Sequence, residues 1–309
     1  MTRIAYLGPE GTFTEAALLQ MAERGMIPRN TAVERVATDA TLDALAQVRA
    51  GSADYACVPI ENSIDGSILP TLDSLATGTP LQLFGELTLD VTFSIATRPG
   101  LPARDVRTVA AFPVAANQVR RWLADHLPGA ELVAANSNAA AAVDVAHGRA
   151  DAAVTTALAA HHYGLAELAA GVVDEPNAAT RFVLAGRPAP PPAPTGADRT
   201  SVVLRLENRP GALVEALTEL SVRDIDLTRI ESRPTRTALG TYMFFLDCVG
   251  HIDDTPVAEA LKALHRRCAD VRFLGSWPTG SMTGAAPPEI DPEIDEASRW
   301  LQRLREGKP

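Results

Sequence analysis

A proline-rich segment in the second half of the chain constrains the fold more than any other feature. Residues 187–196 read Arg-Pro-Ala-Pro-Pro-Pro-Ala-Pro-Thr-Gly. Proline fixes φ and lacks an N–H, so this run favours extended polyproline geometry and excludes a helix or a central strand. We therefore predict two domains, residues 1–186 and 199–276, joined by a linker at 187–198. A length of 309 residues fits this division.

The composition is typical of a globular protein that does not bind polyanions. Hydrophobic residues make up 46% of the chain and charged residues 21%. The net charge of −10 disfavours non-specific binding to nucleic acid or to anionic membranes, so neither is an expected partner. The first residues show no charged segment followed by an apolar one, which predicts a cytoplasmic protein. The alanine-rich stretch 151–173 carries His161, His162 and Glu167, and we interpret it as a packed helix of a soluble domain.

Neither the cysteines nor the paired histidines have the spacing of a metal site. Cys57, Cys248 and Cys268 are odd in number and scattered, which indicates small buried side chains in a reducing compartment. His161 and His162 are adjacent on a predicted helix and would face different sides. We expect no metal and no cofactor.

The N-terminal domain shows an α/β pattern that contains one short internal sequence repeat. Short strands at 3–7, 54–58 and 151–154 alternate with helices, one of them predicted at 116–127 before Pro128-Gly129. Val48–Ala56 and Val145–Ala153 share the pattern V-x-x-G-x-A-D-x-A, in which a helix ends at glycine and an aspartate leads a buried strand. Two such units predict two lobes with a cleft between them, as in the type II periplasmic-binding-protein fold. The alternative is that the repeated pattern arises by chance in an alanine-rich chain.

The order of predicted strands and helices in the C-terminal domain differs from that in the N-terminal domain. Strands and helices follow in the order βαββαβ, which predicts a ferredoxin-like α+β domain. The segments, in order, are 201–207, 210–222, 226–233, 241–249, 255–267 and 271–274. A second Gly/Pro-rich break at 278–288 lies in the tail, residues 277–309, where Glu293–Arg305 could form a short helix.

The segment Gly8-Pro-Glu-Gly-Thr-Phe-Thr14 follows the first strand and opens the first helix. A glycine-containing turn at a helix N-terminus presents N–H groups that suit a carboxylate or a phosphate. Gly11, Thr12 and Thr14 are therefore candidate binding residues. A helix cap without a ligand is the alternative for this segment.

Two further polar segments adjoin strands of the same domain. Val58-Pro-Ile-Glu-Asn-Ser-Ile-Asp-Gly66 follows a buried strand, and ligands of open α/β sheets bind beyond such strand ends. The alternative for this segment is a polar turn. Asn177-Ala-Ala-Thr-Arg-Phe182 ends the domain just before its last strand and offers a hydroxyl, a guanidinium and an apolar wall.

The second domain carries a turn that suits an amino acid. Asn208-Arg-Pro-Gly-Ala-Leu-Val214 leads from a strand into a helix, and Glu231-Ser-Arg-Pro234 ends the following strand. Helix amides could face a carboxylate while an acid faces an ammonium. Because no catalytic set is visible there, we interpret this domain as regulatory.

These segments stand together in the order known from one family, and the sequence resembles bacterial prephenate dehydratases with a C-terminal ACT domain. The resemblance extends to about residue 276. It departs from the family at Ala111-Phe112-Pro113-Val114, where many members have Ser-His-Pro-Gln. Any role of that histidine is therefore absent here. The resemblance implies conversion of prephenate to phenylpyruvate, water and CO2, with feedback by phenylalanine through the ACT domain.

The resemblance, together with the residue chemistry, gives a set of expected roles. Thr180 is expected to donate a hydrogen bond to the leaving hydroxyl, with Glu61 as a possible source of the proton. The expected substrate-binding residues are Gly11, Thr12, Thr14, Asn62, Ser63, Arg181 and Phe182. The effector is expected to contact Asn208, Gly211, Ala212, Leu213, Val214, Leu227, Glu231, Ser232 and Arg233. Such pockets form between subunits in the family, so a homodimer or homotetramer is implied.

Two other functions remain open at this stage. An arogenate dehydratase would perform the same elimination on a substrate in which an ammonium replaces the keto group. An amino-acid sensor would bind ligands without turnover and would not need the Thr180 hydroxyl.

Overall fold

The computed structural model describes residues 1–27, 32–175, 177–236, 240–279 and 292–306. The chain divides into two compact units. The first comprises residues 1–79 and 86–187, and the second comprises residues 80–85 and 188–309.

The strands up to residue 187 are β1 (Thr2–Leu7), β2 (Val33–Thr38), β3 (Tyr55–Asn62), β4 (Gly66–Ser67), β5 (Gln82–Asp90), β6 (Phe93–Thr97), β7 (Thr108–Ala111), β8 (Glu131–Ala134), β9 (Ala152–Thr155), β10 (Ala166–Val172) and β11 (Ala179–Gly186). The helices are α1 (Phe13–Glu23), α2 (Thr41–Ala50), α3 (Leu69–Ala76), α4 (Pro113–Gln118), α5 (Arg120–His126), α6 (Asn138–Ala146) and α7 (Ala157–His162).

These elements build two lobes, each around its own sheet. The first sheet has the order β2-β1-β3-β11-β5, with β4 paired to β3. Within it β1 runs parallel to β2 and β3, whereas β11 returns antiparallel to β3. The second sheet has the order β10-β6-β9-β7-β8. The two-lobed α/β domain predicted from the sequence is confirmed.

The two copies of the internal sequence repeat have the same local structure, one in each lobe. Gly51 and Gly148 follow helices α2 and α6 with φ of 77° and 73°, values that glycine adopts without strain. Asp54 then accepts the N–H of Arg3, and Asp151 accepts the N–H of Thr108. In each lobe the aspartate therefore ties the end of a helix to the start of a neighbouring strand.

The second unit has the predicted ferredoxin-like order. Its elements are β12 (Asp198–Arg205), α8 (Ala212–Ser221), β13 (Leu227–Pro234), β14 (Tyr242–Val249), α9 (Thr255–Arg267) and β15 (Asp270–Pro278). The sheet order is β13-β14-β12-β15 with every neighbour antiparallel. Helix α10 (Pro292–Arg305) lies in the tail. Most of the break expected at 278–288 lies outside the described residues.

Three expectations about local structure are wrong. The alanine-rich stretch 151–173 begins with the strand predicted at 151–154, which is β9, but it continues as α7 and β10 and is not one helix, because the buried run Ala152–Thr155 pairs with strands on both sides. The helix expected from residue 210 begins at Ala212, because Gly211 has φ of 82° and cannot be helical. The helix expected at 116–127 is α4 and α5, broken at Val119. Among the described residues no helix is long and apolar enough to span a bilayer.

Candidate active site

A cavity of about 730 Å³ lies in the first unit, between its two lobes. The first lobe contributes Leu7–Pro9, Thr12–Thr14 and Ala37–Asp39 to its walls. The second lobe contributes Phe112 and the segment around Asn136–Asn138. The cavity is large enough for a small organic acid.

The wall of the first lobe is the N-terminus of α1. Thr12 is its N-cap, because its Oγ1 accepts the N–H of Glu15 at 3.3 Å and donates to the carbonyl of Leu7 at 2.9 Å. The N–H groups of Phe13 and Thr14 precede the first intrahelical bond and remain available. Thr14 is 4% exposed, and its hydroxyl has no bonding partner among the described residues.

Because Gly11 has no side chain, the two lobes can approach each other closely at this residue. Its φ is 89°, and a Cβ at this position would lie 2.6 Å from the Cβ of Ala159 on α7. Its N–H donates to Oε2 of Glu15 at 2.6 Å, and its carbonyl accepts the hydroxyl of Thr156 at 2.5 Å. Glu15 is buried and also pairs with Arg35. The Gly11 N–H, expected to bind a ligand, is therefore engaged within the protein.

The wall of the second lobe is the N-terminus of α6, which the sequence analysis did not identify as part of a site. Ser137 is its N-cap and accepts the N–H of Ala140 at 3.0 Å, leaving the N–H groups of Asn138 and Ala139 available. The serine before an alanine-rich helix was the only sequence signal. Two helix N-termini, each with partial positive charge, thus face one cavity, a suitable setting for a ligand with two negative charges.

A second group of predicted residues lies where β3 ends and β11 begins. Asn62 is paired with Thr180 in the strand register, and its Nδ2 donates to Oγ1 of Thr180 at 2.9 Å. The Ser63 hydroxyl accepts the N–H of Ala179 at 2.8 Å and donates to the carbonyl of Asn177 at 3.0 Å. Asn62 and Ser63 therefore fix the backbone and side chain around Thr180.

Arg181 lies between two carboxylates, one on each neighbouring strand. Its Nη2 is 3.0 Å from Oε2 of Glu61, and its Nη1 is 3.2 Å from Oε2 of Glu86. The side chains of Arg181 and Glu86 are buried, whereas that of Glu61 is 40% exposed. The sequence analysis missed Glu86, which only its contact with Arg181 marks as part of this group. Phe182 is 2% exposed and belongs to the core.

Among the described residues, none of this strand group lines the cavity, and apolar packing connects the two. Phe13, which lines the cavity, packs against a buried cluster that includes Ala178, two residues before Thr180.

Two titratable side chains near α1 are held in their neutral forms. Burial raises the pKa of Tyr6, and the nearby carboxylates of Glu15 and Glu10 raise it further. Burial also raises the pKa of the Cys57 thiol to about 12. Cys57 and Cys248 are buried, as predicted, whereas Cys268 is only partly buried, and Cys57 is unsuited to act as a nucleophile.

The second unit holds its own cavity of about 180 Å³ beside the start of α8. Of the residues predicted there, Asn208, Ala212 and Leu213 line it. Gly211 caps the helix, and Val214 is 66% exposed. The remaining predicted residues, Leu227, Glu231, Ser232 and Arg233, lie on β13 and do not line it. Missed residues of the lining include Leu206, Arg209, Thr241, Tyr242 and Phe244.

Comparison with known proteins gives consistent matches along the chain. The family model of prephenate dehydratase matches residues 4–190, and that of the ACT domain matches residues 200–266. A prephenate dehydratase of Mycobacterium sp. (strain JLS) is 72% identical over 313 residues, covering 100% of this chain and 98% of the relative.

Two solved structures are also similar. One is a prephenate dehydratase from Arthrobacter aurescens in complex with L-Phe, with a TM-score of 0.87, 40% identity, and coverage of 99% of this chain and 100% of the other. The second is described as a novel type of quorum quenching acylase, with a TM-score of 0.77, 30% identity, and coverage of 90% and 98%.

Proposed function

The chain belongs to the prephenate dehydratase family, and from that premise we propose how it converts prephenate into phenylpyruvate, carbon dioxide and water in L-phenylalanine biosynthesis. The observation that carries the proposal is the cavity that two helix N-termini face from opposite lobes. Prephenate has two carboxylates, so each terminus can hold one of them.

The reaction needs no base to remove a proton from carbon. The electrons of the bond to the ring carboxylate become ring electrons as CO2 leaves. The bond from the ring to its hydroxyl then breaks, and the hydroxyl departs with one added proton as water. The ring becomes aromatic, and the side-chain carboxylate stays on phenylpyruvate. The protein must therefore hold two carboxylates and assist one departing hydroxyl.

We assign the carboxylates to the two ends of the cavity. The N–H groups of Phe13 and Thr14, with the Thr14 hydroxyl, bind one carboxylate, and the N–H groups of Asn138 and Ala139 bind the other. Removing one hydrogen-bond donor that is positioned in this way typically lowers turnover by about 10²- to 10³-fold. This assignment replaces the Gly11 N–H, which is bonded to Glu15.

Thr180 is assigned to the departing hydroxyl. Assistance by a positioned donor contributes about 10²- to 10⁴-fold. The ion pairs of Arg181 with Glu61 and Glu86 keep the strand beside Thr180 in place. We retain Glu61 as the candidate relay of the proton, because it is the more exposed of the two carboxylates and can take up a proton from solvent before passing it on.

The small cavity of the second unit is proposed to bind L-phenylalanine as a feedback inhibitor. The N–H groups of Leu213 and Val214 at the start of α8 would take its carboxylate. Its ring would lie against the apolar side chains of Leu206 and Phe244. The L-Phe complex of the Arthrobacter relative supports this ligand. Inhibition requires that L-phenylalanine bind one state of the enzyme better than the other, and we propose a homodimer or homotetramer in the cytoplasm.

The likeness to the acylase leads to no second function. An acylase nucleophile needs a base that accepts its proton. Thr180 instead receives a hydrogen bond from Asn62, and no described side chain accepts its proton.

Phenylpyruvate formation from prephenate, with and without L-phenylalanine, tests the proposal. We expect turnover that L-phenylalanine suppresses, and light scattering should give a mass of two or four chains. Arogenate serves as the control substrate. Turnover of arogenate alone would move the assignment to the sister activity, and saturable binding with no product would favour the sensor.

A further inference from the structure

We propose that Asn62 is a positioning residue that makes the Thr180 hydroxyl a hydrogen-bond donor toward the substrate. This rests on the proposed function, because it concerns how Thr180 assists the departing hydroxyl. It differs from the sequence-based expectation that Asn62 binds the substrate directly.

The amide of Asn62 is held in one orientation by the turn that follows it. Its Oδ1 accepts two backbone N–H groups, from Ile64 at 2.8 Å and from Asp65 at 3.0 Å. An amide oxygen only accepts and an amide nitrogen only donates, so a flipped amide would lose both bonds. The group that faces Thr180 is therefore the nitrogen.

This orientation determines what the hydroxyl can do. A threonine hydroxyl has one proton to donate and lone pairs that accept. Nδ2 of Asn62 lies 2.9 Å from Oγ1 and must be the donor, so the proton of Thr180 points elsewhere. No described residue accepts it. Accepting one bond also polarises the hydroxyl and strengthens the bond that it donates.

The strands hold this geometry in place. Thr180 and Asn62 are register partners, and a β-bulge follows directly between Arg181 and Phe182. The two bonds of Ser63 anchor the loop before Thr180. Thr180 itself is only 9% exposed, which limits the positions that its hydroxyl can take.

The Asn62→Asp variant tests the inference because it reverses the bond to Thr180 and keeps the two bonds to the turn, while adding one negative charge. One carboxylate oxygen still accepts the N–H groups of Ile64 and Asp65, while the other becomes an acceptor for Thr180. We expect kcat for prephenate to fall about 100-fold and KM to change less than about twofold. As the pH is lowered, the introduced carboxyl protonates and can donate again, so kcat of the variant rises relative to wild type.

A double-mutant cycle with Thr180→Ala shows whether Asn62 acts through the hydroxyl. We expect Asn62→Asp to cause no further loss of residual kcat in that background. Thermal unfolding of each variant checks the fold. If the carboxylate impairs folding, Asn62→Ser keeps an acceptor for the turn, and its loss of kcat should show no recovery at low pH.

Three results would overturn the inference. One is an equal loss of kcat with and without the Thr180 hydroxyl. Another is a rise in KM at unchanged kcat, which would assign Asn62 to carboxylate binding. The third is a pH profile of Asn62→Asp parallel to that of wild type. Failure of the proposed function itself is distinct, because wild type would then form no phenylpyruvate.

Discussion

Replacement of Gly11 by alanine tests the close approach of the two lobes. The residue has φ of 89°, and its Cβ would lie 2.6 Å from the Cβ and 2.8 Å from the Cα of Ala159. The Cα cannot rotate away, so α7 or the loop before α1 must shift. Because the Gly11 carbonyl bonds to Thr156, that shift also strains a contact between the lobes.

Two costs combine in this variant. A left-handed conformation costs an ordinary residue about 1–2 kcal/mol, and overpacking of a close contact costs about 1–3 kcal/mol. We expect the free energy of unfolding of the first unit to fall by about 2–5 kcal/mol, a large part of a typical 5–15 kcal/mol. Widening of the cavity should also raise KM for prephenate.

Gly25→Ala is the matched control, since Gly25 has φ of 67° and a Cβ there would meet nothing within 4 Å. It should show the conformational cost alone. Scanning calorimetry resolves the transitions of separate units, and the transition of the first unit should fall much further for Gly11→Ala than for Gly25→Ala. Equal losses in the two variants would refute the reasoning from close contact.

Three further predictions follow from individual contacts. Thr180→Ala should lower kcat by about 10²- to 10⁴-fold while the protein stays folded, with a somewhat lower unfolding temperature because the bond from Asn62 is lost, and near-normal kcat would remove Thr180 from the mechanism. The N–H of Arg107 bonds to the Asp151 carboxylate and holds its pKa below the ordinary 3.8. The ionised carboxylate therefore stabilises the folded state at neutral pH, and this contribution to the free energy of unfolding is lost as the pH falls below 3.8. The difference in unfolding temperature between wild type and Asp151→Asn should therefore shrink at acid pH, and a constant difference contradicts this. Ala212→Phe should fill the small cavity and abolish inhibition by L-phenylalanine while kcat stays normal; unchanged inhibition would place the effector elsewhere.

Local signals in the sequence predicted the architecture well. The repeated pattern around Gly51 and Gly148 identified two equivalent units, because a positive φ after a helix and an aspartate before a strand are local requirements. The βαββαβ order of the second unit followed from periodicity in the same way. Thr12 as a helix cap was one of two alternatives, and its bonds to Leu7 and Glu15 support that alternative.

The site was less predictable, because its walls come from distant segments. Ser137 and Asn138 looked only like the start of a helix, and nothing local places them opposite Thr14. Glu86 is recognisable only once β11 lies between β3 and β5, where Arg181 meets it. The alanine-rich stretch 151–173 was misinterpreted because alanine fits both a helix and a fully buried strand.

The antiparallel return of β11 has a consequence for the order in which the molecule assembles. The second lobe is a continuous insertion from β6 to β10, whereas the first lobe closes only when a strand 118 residues beyond Asn62 comes back to β3. Contacts so distant along the chain form slowly. Pulse-labelled hydrogen exchange during refolding should show the amides of β9 protected before those of β3, and simultaneous protection would contradict this order. A nascent chain would then position Thr180, the proposed hydrogen-bond donor, only after the insertion is already built.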